Sequence, residues 1–291
     1  MPKRVGRLKI WEKAPAKINL TLDVLGKRED GFHEVEMIMT MVDLADRISF
    51  EECEDGQIAL ETNSAFIPTD ERNIVYKAAQ LLRDELSIDK GVHIFLDKKI
   101  PIAAGLGGGS SDAAATLRGL NNLWQLNLTV TQLQEYGAKL GSDVPFCVAG
   151  GTVIARGRGE LLEQLPPMPA GWILLAKPSV NVSTRVVYGK LDYRQIEVHP
   201  ETEKMREAIV ANDLGEVAGL LCNVLQPVTF SLYPEVAELA SQMEEYGVDN
   251  LVMSGSGPTL YTLSARETGL YRIYNALRGF CEEVYMVRLL R

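Results

Sequence analysis

Pro101-Ile-Ala-Ala-Gly105-Leu-Gly107-Gly108-Gly109-Ser110-Ser111-Asp112 runs without a break into Ala113-Ala-Ala-Thr-Leu-Arg118, a stretch rich in helix formers. Four glycines and two serines therefore stand where a loop becomes a helix. Backbone N–H groups in a first helical turn have no intrahelical partner, and the helix dipole favours negative charge there. Glycine lets a polyanion approach that backbone with no Cβ in the way. The segment reads as a phosphate cradle, with a capped, flexible turn as the plainer alternative. No lysine follows the glycines, so this is not a GxxxxGK(S/T) loop, and the GxGxxG spacing of dinucleotide folds is absent. A cation for the phosphates must come from elsewhere in the chain.

The surroundings of the loop are regular. Val92, Ile94 and Leu96 alternate with His93, Phe95 and Asp97, a strand signal leading into the loop. Ile74, Val75, Ala78, Leu81, Leu82 and Leu86 recur at helical spacing and predict an amphipathic helix over 72–86. A further helix is expected over 129–140, capped by Thr129 or Thr131. Toward the start, 8–24 reads as strand material broken at Pro15, followed by a turn over 27–31 and a strand over 35–42. Residues 150–165 form a hairpin pattern turning at Arg156-Gly-Arg-Gly159.

Pro166, Pro167 and Pro169 then cluster, which places a domain boundary between 1–165 and 166–291. Beyond it, a strand is expected over 172–176, helices over 201–211, 213–225 and 234–246, and short strands over 251–254 and 259–263. A helix over 270–280 and a strand over 284–290 close the chain. Strands interleaved with helices in both parts imply two layered domains of α/β or α+β type.

Composition narrows the function classes. The chain has 291 residues, 46% hydrophobic and 24% charged, the balance of a soluble globular protein. Its net charge of −9 argues against nucleic acid and against anionic membranes, both of which call for a basic face. No apolar run approaches the roughly 20 residues that span a bilayer. Met1-Pro-Lys-Arg-Val-Gly-Arg7 has a basic start but no apolar core after it, so it does not read as a signal peptide. Cys53, Cys147, Cys222 and Cys281 form no CxxC pair and the three histidines are scattered. No metal cluster is expected, and the cysteines read as reduced and cytoplasmic.

Three further segments carry candidate chemistry. Ala14-Pro-Ala-Lys17-Ile-Asn19 places a lysine and an asparagine on one face of a strand. Lys17 is either an edge-strand lysine that discourages aggregation or the missing cation. Gly141-Ser-Asp143-Val-Pro145 presents one acid in a small apolar context, as an N-cap of a short helix or as a general base. Met253-Ser-Gly-Ser-Gly-Pro-Thr259 is a second glycine-rich loop after a strand, a tight hairpin or a second wall of an anion site.

Taken in order, these segments resemble the superfamily of galactokinase, homoserine kinase, mevalonate kinase and phosphomevalonate kinase, the GHMP kinases. Pro15-Ala-Lys17-Ile-Asn19-Leu, Asp30-Gly-Phe-His33 and Gly141-Ser-Asp143-Val-Pro145 bring the chain nearest to the branch whose acceptor is a cytidine diphosphate-linked methylerythritol. The resemblance covers essentially the whole chain. It implies an α+β fold: an N-terminal domain like the second domain of ribosomal protein S5 and a ferredoxin-like C-terminal domain. It implies phosphoryl transfer from ATP, with Mg²⁺ brought by the nucleotide, to a tertiary hydroxyl in isoprenoid precursor biosynthesis. Lys17 and Asp143 match the catalytic pair. Asn73, Lys98, Pro101, Ile102, Ala103, Ala104, Gly105, Leu106, Gly107, Gly108, Gly109, Ser110 and Ser111 match the nucleotide side. Asn19, Phe32, His33, Thr184, Tyr188, Gly255, Ser256 and Gly257 match the acceptor side. Phe32 stands where similar enzymes often carry tyrosine, so its ring can stack but a hydroxyl contact is missing. The expected partners are small molecules, with neither nucleic acid nor membrane, in a monomer or homodimer.

Overall fold

The structure is a computed structural model that describes residues 9–291. The basic start and Leu8, where the first strand was expected to begin, lie outside the described residues. The chain forms two compact units that interleave in sequence. The first takes the described residues through Ala16, then Ala45–Ile100 and Gly108–Ala149; the second takes Lys17–Leu44, Pro101–Gly107 and Gly150–Arg291.

The first unit holds the ends of two long strands, β1 (Lys9–Lys27) and β2 (His33–Cys53), with β3 (Ile58–Thr62), α1 (Ile74–Leu86) and β4 (Gly91–Asp97). Then come α2 (Gly108–Leu123), α3 (Val130–Leu140) and α4 (Val144–Ala149). β4 pairs antiparallel with β2 from Arg47↔Asp97 to Cys53↔Gly91, and parallel with β3. The alternation in β4 does its work here: Val92, Ile94 and Leu96 are buried, as a sheet with one covered face requires. The apolar stripe of α1 is buried through Val75, Ala78, Ala79 and Leu82, and α1, α3 and α4 all pack against α2. A Cβ on Gly119 would lie 2.3 Å from Phe50 Cε2, so α2 rests with its backbone against β2. Asn73 caps α1, and Thr129 caps α3 in a complete capping box with Gln132.

The second unit carries the rest of β1 and β2 and the turn between them, followed by β5 (Thr152–Gly157) and β6 (Leu161–Leu165). β7 (Trp172–Lys177), α5 (Thr184–Lys190), α6 (Thr202–Val210) and α7 (Leu214–Gly219) follow. β8 (Cys222–Asn223), α8 (Gln226–Leu232), α9 (Pro234–Glu245), β9 (Val252–Met253), β10 (Leu260–Ser264), α10 (Glu267–Leu277) and β11 (Glu283–Arg288) complete it. One sheet runs β6-β5-β2-β1-β8; the other runs β11-β7-β10-β9. In the second sheet the strand order is fourth, first, third, second, with antiparallel neighbours, and the helices fall between strands. That is the ferredoxin-like arrangement expected for the C-terminal part. Residues 166–291 lie wholly in this unit.

Three local expectations are corrected. Pro15 does not break β1, which continues through it; its carbonyl accepts the Ser111 hydroxyl at 2.7 Å. The helix expected over 213–225 stops at Gly219, because Cys222 and Asn223 add to β1 as a parallel strand, Thr21↔Cys222 and Leu22↔Asn223. Strand β2 is far longer than 35–42, running on to Cys53 to pair with β4.

Candidate active site

The glycine loop is built less from freedom than from crowding. In the second unit, Gly105 (φ +73°) and Gly107 (φ +65°) take the left-handed conformation that side chains disfavour. A Cβ on Gly105 would lie 2.2 Å from the Ser254 carbonyl oxygen, and one on Gly107 2.7 Å from Lys17 Cγ. The Ser254 hydroxyl donates to the Gly105 carbonyl at 2.9 Å, and the Lys17 N–H to the Leu106 carbonyl at 2.9 Å. The first strand and the second glycine-rich loop thus both hold 101–107. In the first unit, a Cβ on Gly108 would meet Ile100 Cγ2 at 3.1 Å and Lys98 Nζ at 3.3 Å. Only Gly109 leaves space, with Ile74 Cγ2 at 3.8 Å. Three of the four glycines therefore answer to protein atoms. The first turn of α2 contains no acidic side chain, so its N–H groups and dipole suit an anion. Ser111 is buried with its hydroxyl on Pro15, whereas Ser110 is half-buried. Pro101 and Ala104 are buried; Ile102 and Ala103 face outward.

Two residues matched to the nucleotide side are held by protein partners in the first unit. Asn73 caps α1 through the Val75 N–H and donates to the Pro68 carbonyl. Lys98 has its ammonium between Asp46 and Asp112, 2.8 Å from Asp112 Oδ2. Burial opposes its charge, but the two carboxylates outweigh that and raise its pKa. Burial pushes Asp112 well above the usual carboxylate range.

The acceptor-side residues converge within the second unit. Lys17 and Asn19 are buried, with the ammonium 2.6 Å from Asn19 Oδ1. Asn19 is fixed further by a contact from its Nδ2 to Met37 Sδ and by Tyr261, whose hydroxyl donates to the Asn19 carbonyl at 2.6 Å. At the head of α5 the Thr184 hydroxyl meets that of Ser256 at 2.8 Å. One helical turn on, Tyr188 packs against His33, ring centroids 5.2 Å apart. Burial, then the charge of Lys27, lowers the His33 pKa, so its neutral form is favoured. Phe32 is 52% exposed, with the Arg158 guanidinium 5.1 Å from its ring centre. Gly255 and Gly257 both have positive φ, and a Cβ on Gly257 would strike Met253 Sδ at 2.4 Å. Asn223 Nδ2 holds this loop by donating to the carbonyls of Met253 and Gly255 at 2.6 and 2.7 Å.

Asp143, in the first unit, is half-buried and immediately precedes α4, where its carbonyl accepts the Cys147 N–H at 3.0 Å. Asp46, Asp112, Asn223, Tyr261 and Arg158 were not singled out in the sequence as site residues. Asp112 stood at the end of the quoted loop and Arg158 in the hairpin turn, while Asp46, Asn223 and Tyr261 acquire their partners only through the fold.

The family model for the GHMP kinase N-terminal domain matches residues 73–151, and that for the GHMP kinase C-terminal domain matches 205–283. A curated 4-diphosphocytidyl-2-C-methyl-D-erythritol kinase of Bacillus thuringiensis is 53% identical over 286 residues, covering 98% of each chain. The crystal structure of a 4-(cytidine 5'-diphospho)-2C-methyl-D-erythritol kinase is similar at a TM-score of 0.81 and 32% identity, over 96% of this chain and 99% of that one. A homoserine kinase structure from Cytophaga hutchinsonii shares the fold at a TM-score of 0.77 and 22% identity, over 99% and 97% of the two chains.

Proposed function

From the membership of this chain in the GHMP kinases, and within them in the 4-diphosphocytidyl-2-C-methyl-D-erythritol kinase family, we propose that it transfers the γ-phosphoryl group of ATP to the 2-hydroxyl of 4-diphosphocytidyl-2-C-methyl-D-erythritol. The observation that carries the reading is Lys17. The glycine loop lacks a lysine of its own, and a buried lysine from β1 packs against Gly107 of that loop, its ammonium on Asn19.

Phosphoryl transfer asks the protein mainly to position reactants and stabilise charge. In this reading the backbone from Gly105 to Ser111 holds the ATP phosphates and Asn73 and Lys98 stand on the nucleotide side. The substrate form is ATP with Mg²⁺, whose preference for phosphate oxygens and water removes the need for a protein cage. Asp143 accepts the proton of the attacking hydroxyl. Lys17 offsets the charge that develops on the oxygens during transfer. Asn19, His33, Thr184, Tyr188 and the Gly255–Ser256–Gly257 loop orient the acceptor, with Phe32 and Tyr188 as aromatic walls for the cytosine. His33 as a neutral imidazole can both donate and accept a hydrogen bond, as recognition of a cytosine edge requires.

Residues 1–165 then form the nucleotide-binding and catalytic domain and 166–291 the acceptor-side domain, and the two family matches fall on either side of that boundary. The site of action is the cytoplasm, where ATP is supplied. Among the described residues no helix is long and apolar enough to cross a membrane. The test is an ATP-consumption assay offering 4-diphosphocytidyl-2-C-methyl-D-erythritol, mevalonate and homoserine in parallel. Turnover of the cytidine substrate alone is expected. Equal or faster turnover of mevalonate or homoserine overturns the acceptor assignment.

A further inference from the structure

Lys98, matched by resemblance to the nucleotide side, lies in the first unit with its side chain 8% exposed. Its ammonium is bound by Asp46 Oδ2 and, at 2.8 Å, by Asp112 Oδ2. The other oxygen of Asp46 accepts the N–H groups of Lys99 and Ile100 at 2.5 and 2.8 Å. Those are the last residues before the glycine-rich segment. Asp112 is in the second turn of α2, on the other side of that segment. Asp112 Oδ1 is buried and has no hydrogen-bond partner among the described residues. One lysine thus ties the backbone entering the segment to the helix leaving it. Gly108, the first residue of α2, is pressed against this ammonium: its missing Cβ would stand 3.3 Å from Lys98 Nζ.

We propose that Asp46, Lys98 and Asp112 are positioning residues for ATP: they set the first turn of α2 relative to the residues that precede the glycine loop, and Lys98 acts on the nucleotide through Gly108 and Asp112 rather than by touching the base. The chemistry favours this over a structural ion pair alone. A cation at a helix N-terminus opposes the dipole and disfavours the helix. Two carboxylates around one ammonium are costly to bury unless the geometry they enforce is needed. Held there, the ammonium stands beside Gly108 at the start of α2, where it fixes that turn without occupying the anion's place. A misplacement of about 1 Å in the groups that position a reactant can cost about a hundredfold in rate.

The inference rests on the kinase reading, and the experiment separates their failures. Dissociation constants for a non-hydrolysable ATP analogue and for its GTP counterpart are measured by calorimetry, without acceptor, for the wild type and for Lys98→Met, Asp46→Asn, Asp112→Ala and Asp112→Asn. KM for both substrates is measured alongside. Lys98→Met and Asp112→Ala are expected to weaken the ATP and GTP analogues by the same factor, about tenfold or more, with the acceptor KM unchanged. Asp112→Asn keeps an acceptor of the same shape for Lys98 and is expected to recover affinity to within about threefold of wild type. Analogue affinity unchanged in folded variants overturns the proposal and leaves a structural ion pair. A loss confined to the ATP analogue overturns it too, because that result means Lys98 reads the adenine directly. If Lys98→Met fails to fold, the Asp112 pair decides the matter. A wild type that binds no ATP analogue at all refutes the kinase reading itself.

Discussion

Two buried lysine side chains, Lys98 and Lys17, sit in different surroundings. In the first unit the Lys98 ammonium lies between Asp46 and Asp112. In the second unit Lys17 rests on a neutral amide oxygen, that of Asn19, and packs along Gly107. Lys98 sits among groups that fix the backbone on either side of the glycine-rich segment, whereas Lys17 packs along the loop itself, beside Asn19. The same contrast runs through the neighbours. Around Lys98 the polar contacts are ion pairs and backbone bonds that fix the chain. Elsewhere in the second unit His33 packs on Tyr188, the Thr184 and Ser256 hydroxyls meet, and Phe32 is half-exposed, groups suited to reading a ligand. Sequence alone scarcely separates the two lysines, since each stands in or beside an apolar strand.

The largest expected effects test which residues act on the arriving group. Asp143→Asn is expected to lower kcat by about 10²–10⁴, the usual worth of a positioned general base. Its melting temperature should move little, because asparagine caps a helix about as well as aspartate. Steady-state kinetics and a thermal melt on the same preparation check this; an unchanged melt with only a few-fold rate loss makes Asp143 a cap and nothing more. Lys17→Met comes next, with kcat lowered about 10²–10³, the scale of one lost electrostatic contact to a transition state. If its rate survives, the contrast between the lysines fails on the catalytic side.

Lys98→Met breaks the contrast from the other side. It leaves Asp46 and Asp112 facing each other in a buried place without their shared cation, and removing one partner of a buried pair costs about 3–5 kcal/mol. Urea denaturation should show that loss in Lys98→Met; an unchanged midpoint would mean that the ion pairs of Lys98 do no structural work.

What was legible in the sequence divides along the same line. The repeating elements could be read because their signal is local. β4 alternates, α1 carries its stripe, and Thr129 with Gln132 spells a capping box three residues apart. Lys17 and Asn19 were readable as a pair because i and i+2 share a strand face. The Lys98 triad was not, since Asp46 lies 52 residues from Lys98 and no spacing announces it. Thr184 and Ser256 are 72 residues apart and meet only once α5 and the loop after β9 are in place. β8 escaped for a related reason: two residues carry no periodicity, and only the edge of β1 makes them a strand. The packing of the glycines against Lys17, Ser254 and Lys98 was not legible, because it cannot be seen in a glycine's own neighbours.

Within the acceptor-reading group the effects become smaller and more selective. Tyr188→Ala is expected to raise the acceptor KM by about tenfold, the lower range of base–aromatic stacking, with the ATP KM unchanged. An unchanged acceptor KM would remove Tyr188 from the cytosine wall and leave it as packing for His33.

The smallest effect concerns His33 and its protons. Its pKa lies below the ordinary 6.5 because burial, and then Lys27, disfavour the imidazolium. The folded state therefore binds fewer protons here than the unfolded state once the pH falls below about 6.5. The stability contributed by neutral His33 is complete above that pH and declines as acid is added. His33→Gln lacks the titration but keeps a polar side chain of similar reach. The difference in melting temperature between wild type and His33→Gln should therefore be constant from pH 7 to 8 and narrow as the pH falls toward 5.5. Because His33 is partly open to solvent, screening limits the change to a degree or two. A difference that widened in acid would mean the imidazolium is the favoured form, and with it the reading of His33 as a neutral donor and acceptor against Tyr188 would fall.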